Sequence, residues 1–130
     1  MDNKFFKASK KAIPVSIEKS LLNFFPHAIN IEWNGTGEYF EALFYSDEVE
    51  HIAKLNKKGS LMEYKKNIRI TEIPDAIRAK ATEQGEIMSA ICIFPEQAVR
   101  YEIITRNEKL ERDLLLMDDQ GNLLEKKQMD

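Results

Sequence analysis

The chain has 130 residues, a length that suits one domain burying about two-thirds of the surface its unfolded form exposes. Its 19 basic and 22 acidic residues are interspersed, so no basic stripe is available to neutralise a phosphate backbone, and nucleic acid is not an expected partner. The single cysteine, Cys92, excludes an intrachain disulfide and a cysteine-based zinc cluster, and no run is long and apolar enough to predict a membrane span.

Residues 1–12 read as a basic, flexible lead-in, with Lys4, Lys7, Lys10 and Lys11 around Phe5-Phe6. These lysines interrupt any apolar h-region of a secretory signal, so the chain as written reads as cytoplasmic; a signal already removed would leave the same sequence. Ile13-Pro14 then opens an amphipathic helix, since a proline in a first turn forfeits no hydrogen bond. Ile17, Leu21, Leu22 and Phe24 or Phe25 recur at helical spacing until Pro26 ends the pattern.

Ile29 to Trp33 alternate apolar and polar residues, predicting a half-buried strand, and Asn34-Gly35-Thr36-Gly37 predicts a turn. In the next strand, Glu38 to Tyr45, one face carries Phe40, Ala42 and Phe44 and the other Tyr39, Glu41, Leu43 and Tyr45. Ser46-Asp47-Glu48 supplies a hairpin turn into Val49 to Leu55, and Asn56 to Gly59 a second turn into Ser60 to Lys66.

The order then repeats. Ile73-Pro74 recurs about 60 residues after Ile13-Pro14 and opens a second helix marked by Ile77 and Ala81, with Gln84-Gly85 as its stop. Met88 to Phe94, Ala98 to Thr105, Leu110 to Met117 and Asn122 to Lys127 are the following strands. Asn107-Glu108-Lys109 and Asp118 to Gly121 are read as their turns. The expected fold is α+β: two tandem units, repeat 1 (13–70) and repeat 2 (71–130), each a helix plus four antiparallel strands, with the helices on one sheet face.

The string from Ile13 to Trp33, with Pro14, Phe25-Pro26, Ala28 and Ile31, resembles the opening of the PepSY-like family, which is related in fold to beta-lactamase inhibitor protein (BLIP). Phe40-Glu41-Ala42-Leu43-Phe44 and the hairpins at Lys57-Lys58-Gly59 and Asp118 to Gly121 extend the likeness along most of the chain. The resemblance implies a BLIP-like fold, in which the two units form one curved antiparallel sheet with an open concave face. It further implies a bacterial protein of a mostly exported group, periplasmic or secreted. The second unit departs from the pattern by lacking the tryptophan and the phenylalanine-proline step. The family offers no catalytic motif to carry over.

The residues themselves offer little chemistry. His27 and His51 are the only histidines; the first reads as a loop residue, and the second, alternating with Val49 and Ala53, as a structural one. Cys92 lies in the apolar run Ile91 to Phe94, where cysteine serves as a small hydrophobe. Acidic pairs fall in turns, and Gly35-Thr36-Gly37 precedes no helix that could receive a phosphate. The expectation is a non-enzymatic protein with no cofactor and no metal.

The surface says more. Leu114 to Met117 is apolar on both faces of a strand, as is Ile103-Ile104, whereas an antiparallel strand ordinarily keeps one face polar. If helices cover Ile103, Leu115 and Met117, then Ile104, Leu114 and Leu116 occupy the concave side, and the matching face of repeat 1 carries Tyr39, Glu41, Leu43, Tyr45, Ile52 and Lys54. These nine residues are the expected contact surface for a protein partner, engaged in an inhibitor-like manner. The alternatives are self-association through the same face, capture of a small ligand near Tyr39, Tyr45 and Leu114, or simple cover by the segment bearing Phe5 and Phe6.

Overall fold

A computed structural model describes residues 6–7, 13–35, 37–95 and 98–129. The chain separates into two compact units, residues 1–65 and 66–130. Of the basic lead-in, only Phe6 and Lys7 are described; the rest of that prediction lies outside the described residues.

The first unit contains β1 (Phe6–Lys7), α1 (Val15–Phe24), β2 (Ile29–Gly35), β3 (Tyr39–Ser46) and β4 (Val49–Asn56). β5 (Leu61–Ile68) follows and runs across the division. β1 to β4 pair antiparallel in chain order. Pro14 stands immediately before α1, and its carbonyl accepts the N–H groups of Ile17 and Glu18 at 3.0 and 3.2 Å; the second is the first regular helix bond, and the first satisfies a donor that a helix start leaves free. The apolar face proves narrower than the spacing predicts: Ile17 and Leu21 are buried, while Leu22 and Phe24 are exposed and Phe25 turns back into the core. Packed against Ile17 and Leu21 are Trp33, Ala42, Phe44, Ala53 and Leu55, so alternate residues of β3 and β4 lie beneath the helix.

Two strand predictions need correction here. Asn34 and Gly35 belong to β2, because they pair with Glu41 and Phe40 on one side and with Lys7 and Phe6 on the other. Nor does β2 alternate cleanly: its register shifts between Ile29 and Glu32, and Asn30 adopts a φ of 55°. A bulge of this kind reverses which face the preceding residue occupies.

The second unit contains a 3₁₀ turn at Ile70–Glu72, α2 (Asp75–Thr82), β6 (Glu86–Pro95), β7 (Arg100–Arg106), β8 (Arg112–Asp118) and β9 (Leu123–Met129). The 3₁₀ turn had no sequence signal; Glu72 closes it by accepting the Arg69 N–H at 2.8 Å. Pro74 repeats the part played by Pro14, its carbonyl accepting from Ile77 and Arg78 at 3.1 and 2.9 Å. Ile77 and Ala81 pack on Ile87, Ala90, Ile103, Leu115 and Met117. β6 to β9 pair antiparallel in chain order.

Three hairpins share one hydrogen-bond scheme. Asn56, Asn107 and Asp118 each accept, on Oδ1, the N–H of the residue two positions on and that of the residue four positions on, at 2.9–3.0 Å. The fourth residue of each turn is left-handed: Gly59 at φ 86°, Leu110 at 65° and Gly121 at 87°. Leu110 therefore belongs to a turn, and the strand predicted to start there begins at Arg112.

Candidate interaction surface

Strand alternation separates the described face of each unit into a helix side and an open side. In the first unit the registers Glu41↔Lys54, Leu43↔Ile52 and Tyr45↔Glu50 set these side chains in rungs on the face away from α1. The Lys54 ammonium stands 4.4 Å from the centre of the Tyr39 ring, a cation–π contact across β3 and β4. Tyr39, Glu41, Leu43, Tyr45, Ile52 and Lys54 thus share one face, with Tyr45 42% and Ile52 37% exposed.

Ile29 joins them and was missed. It lies opposite Tyr45 and is 59% exposed, although its parity with Trp33 predicts the core side. The intervening bulge reverses that parity; the only sign of it in the sequence is an asparagine, which tolerates a positive φ, between two isoleucines.

In the second unit the pairings run as two rungs across four strands. Ser89, Ile104, Leu114 and Lys127 form one, and Ile91, Glu102, Leu116 and Glu125 the other. Ile104, Leu114 and Leu116 are half-buried on this side, whereas Ile103, Leu115 and Met117 are completely buried beneath α2. Ile91 belongs to the same patch, and the apolar run Ile91 to Phe94 is its signal in the sequence.

His51 and Cys92 both sit on helix-side faces. The His51 ring stacks against Phe44, and its Nδ1 donates to the Val49 carbonyl at 2.9 Å, which makes it a satisfied core residue. Cys92 is buried opposite Tyr101 in the ladder. Burial pushes the thiol up from its ordinary value, while the Tyr101 hydrogen bond and the nearby Lys66 charge partly offset that rise. A thiol in that setting is a poor nucleophile. Among the described residues, no three His, Cys, Asp or Glu side chains come together as a metal-ligand group. No helix among them is long and apolar enough to cross a membrane.

Two hollows lie away from both open faces. One of about 440 Å³ is bounded by Ala76, Ala79 and Lys80 of α2 and by Gln120 to Leu123; the other, about 610 Å³, lies beside Thr82, Gly85, Arg106 and Asn107. Neither includes Tyr39, Tyr45 or Leu114, the residues near which the small-ligand alternative places its pocket.

No family model and no curated protein matches the chain. Solved structures do. A BLIP-like protein from Bacteroides fragilis superposes with a TM-score of 0.74 at 17% identity, covering 89% of this chain and 86% of that one. A DUF2874 family protein from Bacteroides uniformis gives 0.79 at 14% identity, covering 89% of both chains. Another DUF2874 family protein, from Bacteroides ovatus, gives 0.75 at 14% identity over 88% of this chain and 86% of that one. At these identities the likeness concerns the fold alone, which is BLIP-like, α+β with antiparallel strands.

Proposed function

We propose that the protein is a non-enzymatic binding module that engages a protein partner through the sheet faces turned away from its helices. The observation that carries this reading is the patch formed by Ile104, Leu114 and Leu116. These side chains are only partly buried although the alternate residues of the same strands already fill a core. Aliphatic groups on an uncovered sheet face gain about 25 cal/mol for each Å² of apolar surface removed from water, so docking there is favourable. Glu102, Glu125 and Lys127 border the patch and supply the polar rim that gives an interface its register.

The descent from a duplicated PepSY-like unit is part of this reading. It is supported by the recurring Ile-Pro helix starts and by the matching turns at Asn56 and Asp118. An inhibitor-like mode of action is supported by analogy of fold alone.

The test is capture of partners from an extract of the cells that make the protein, comparing wild type with Leu116→Glu. A protein retained by wild type and lost by a folded Leu116→Glu variant would support the reading. Retention of nothing, together with a dimeric mass that Leu116→Glu reduces to a monomer, would replace it with self-association through the same patch. Unfolding of both Leu116→Glu and Ile104→Glu would identify the patch as core and remove its support.

A further inference from the structure

Resting on that reading of the sheet faces, we propose that Tyr45 and Glu50 of the first unit form an anchor for a cationic side chain, an arginine or lysine, presented by a protein partner. The chain contains its own precedent on the same face. At one end of the β3–β4 pair, the ammonium of Lys54 rests over Tyr39, and Glu41 lies directly opposite Lys54 in the ladder. A tyrosine ring holds a cation there, with a carboxylate across the ladder from it.

At the other end, Tyr45 lies directly opposite Glu50, and the intervening hairpin adds Asp47 and Glu48. Tyr45 is exposed, and among the described residues no cation stands over its ring and none pairs with Asp47, Glu48 or Glu50. Here ring and carboxylate face each other directly across β3 and β4, whereas Tyr39 and Glu41 stand two residues apart on one strand; both pairs lie on the same open face. A positive charge is attracted to the face of an aromatic ring and to nearby carboxylates alike, and a guanidinium can do both at once.

Ile29, Leu43 and Ile52 border Tyr45 on the same face, so the matching partner surface carries its cation among apolar side chains. The charge complementarity singles out a basic protein surface over an acidic one.

The experiment is a titration of the full chain, followed by backbone amide NMR, with two blocked tripeptides, Leu-Arg-Leu and Leu-Glu-Leu. The arginine peptide is expected to shift the amides of residues 45–50, with affinity that falls as salt is added. Tyr45→Leu and Glu50→Gln should each weaken it about fivefold, while Tyr45→Phe, which keeps the ring, should not. Equal binding of the glutamate peptide, shifts confined to other strands, or unchanged affinity in Tyr45→Leu and Glu50→Gln would overturn the anchor. The two readings fail separately. A partner lost with Leu116→Glu but kept by Tyr45→Leu and Glu50→Gln would refute the anchor and leave the docking face standing.

Discussion

The imidazole of His51 stacks on the ring of Phe44, with centroids 5.3 Å apart and planes 12° apart, and Phe25 and Tyr64 close around the pair. Truncating Phe44 to alanine is expected to cost about 3–5 kcal/mol, because the ring is completely buried and leaves a cavity. The pair should also be coupled. In a double-mutant cycle with His51→Ala, measured by urea unfolding, the interaction should amount to about 0.5–1.5 kcal/mol. Strict additivity would show that the stacking contributes nothing beyond burial.

Leu110 occupies the position that Gly59 and Gly121 hold in the two equivalent hairpins, and a β-carbon in the left-handed region is costly. Its side chain is 70% exposed, so little burial is lost on removing it. Leu110→Gly is therefore expected to stabilise the protein by about 0.5–1 kcal/mol in thermal unfolding. The reverse change, Gly59→Ala, should destabilise it, since a β-carbon there meets both an unfavourable φ and the Ser20 hydroxyl of α1.

Thr105 is 1% exposed, and among the described residues its hydroxyl oxygen has no hydrogen-bond partner. A buried hydroxyl without a partner carries its desolvation cost uncompensated. Replacing it with the nearly isosteric valine should raise stability by about 1 kcal/mol, read from the urea midpoint. A loss of stability would show that the hydroxyl is satisfied.

Asp118 caps its hairpin as a carboxylate, whereas Asn56 and Asn107 do the same work with amides. The side-chain and backbone hydrogen bonds from Asn122 lead a set that holds its carboxyl below the ordinary aspartate value. A depressed folded pKa contributes stability above the unfolded value and loses it as pH falls through the folded value. Asp118→Asn should keep the turn and flatten the acid side of a Tm-against-pH profile. The gap between wild type and variant should close toward low pH.

Much of this molecule is legible along the chain. Pro14 and Pro74 mark the two helices because their geometry is local, and the alternation in β3 assigns Phe44 inward and Tyr45 outward without reference to any other residue. The turns at Asn56 and Asp118 were legible for the same reason, since a side-chain oxygen closes each over four residues. Ile29 was misplaced because a bulge turns on a single backbone angle at Asn30, which hydrophobic period does not encode. Leu110 was drawn into a strand because an aliphatic residue carries no sign that its φ is positive.

The sequence alone thus determined the two helices, the strands from β2 to β9 in their order along the chain, and the division of most of them into two faces, all of which follow from spacing and turn chemistry within a few residues. Tertiary structure decided the rest. Register placed Glu50 opposite Tyr45 and Lys54 opposite Glu41, the β2 bulge turned Ile29 onto the open face, and packing under α2 buried Leu115 completely while leaving Leu116 only partly buried. Those outcomes depend on which strand lies beside which and how far it has slid, and a one-residue slip would exchange the faces entirely.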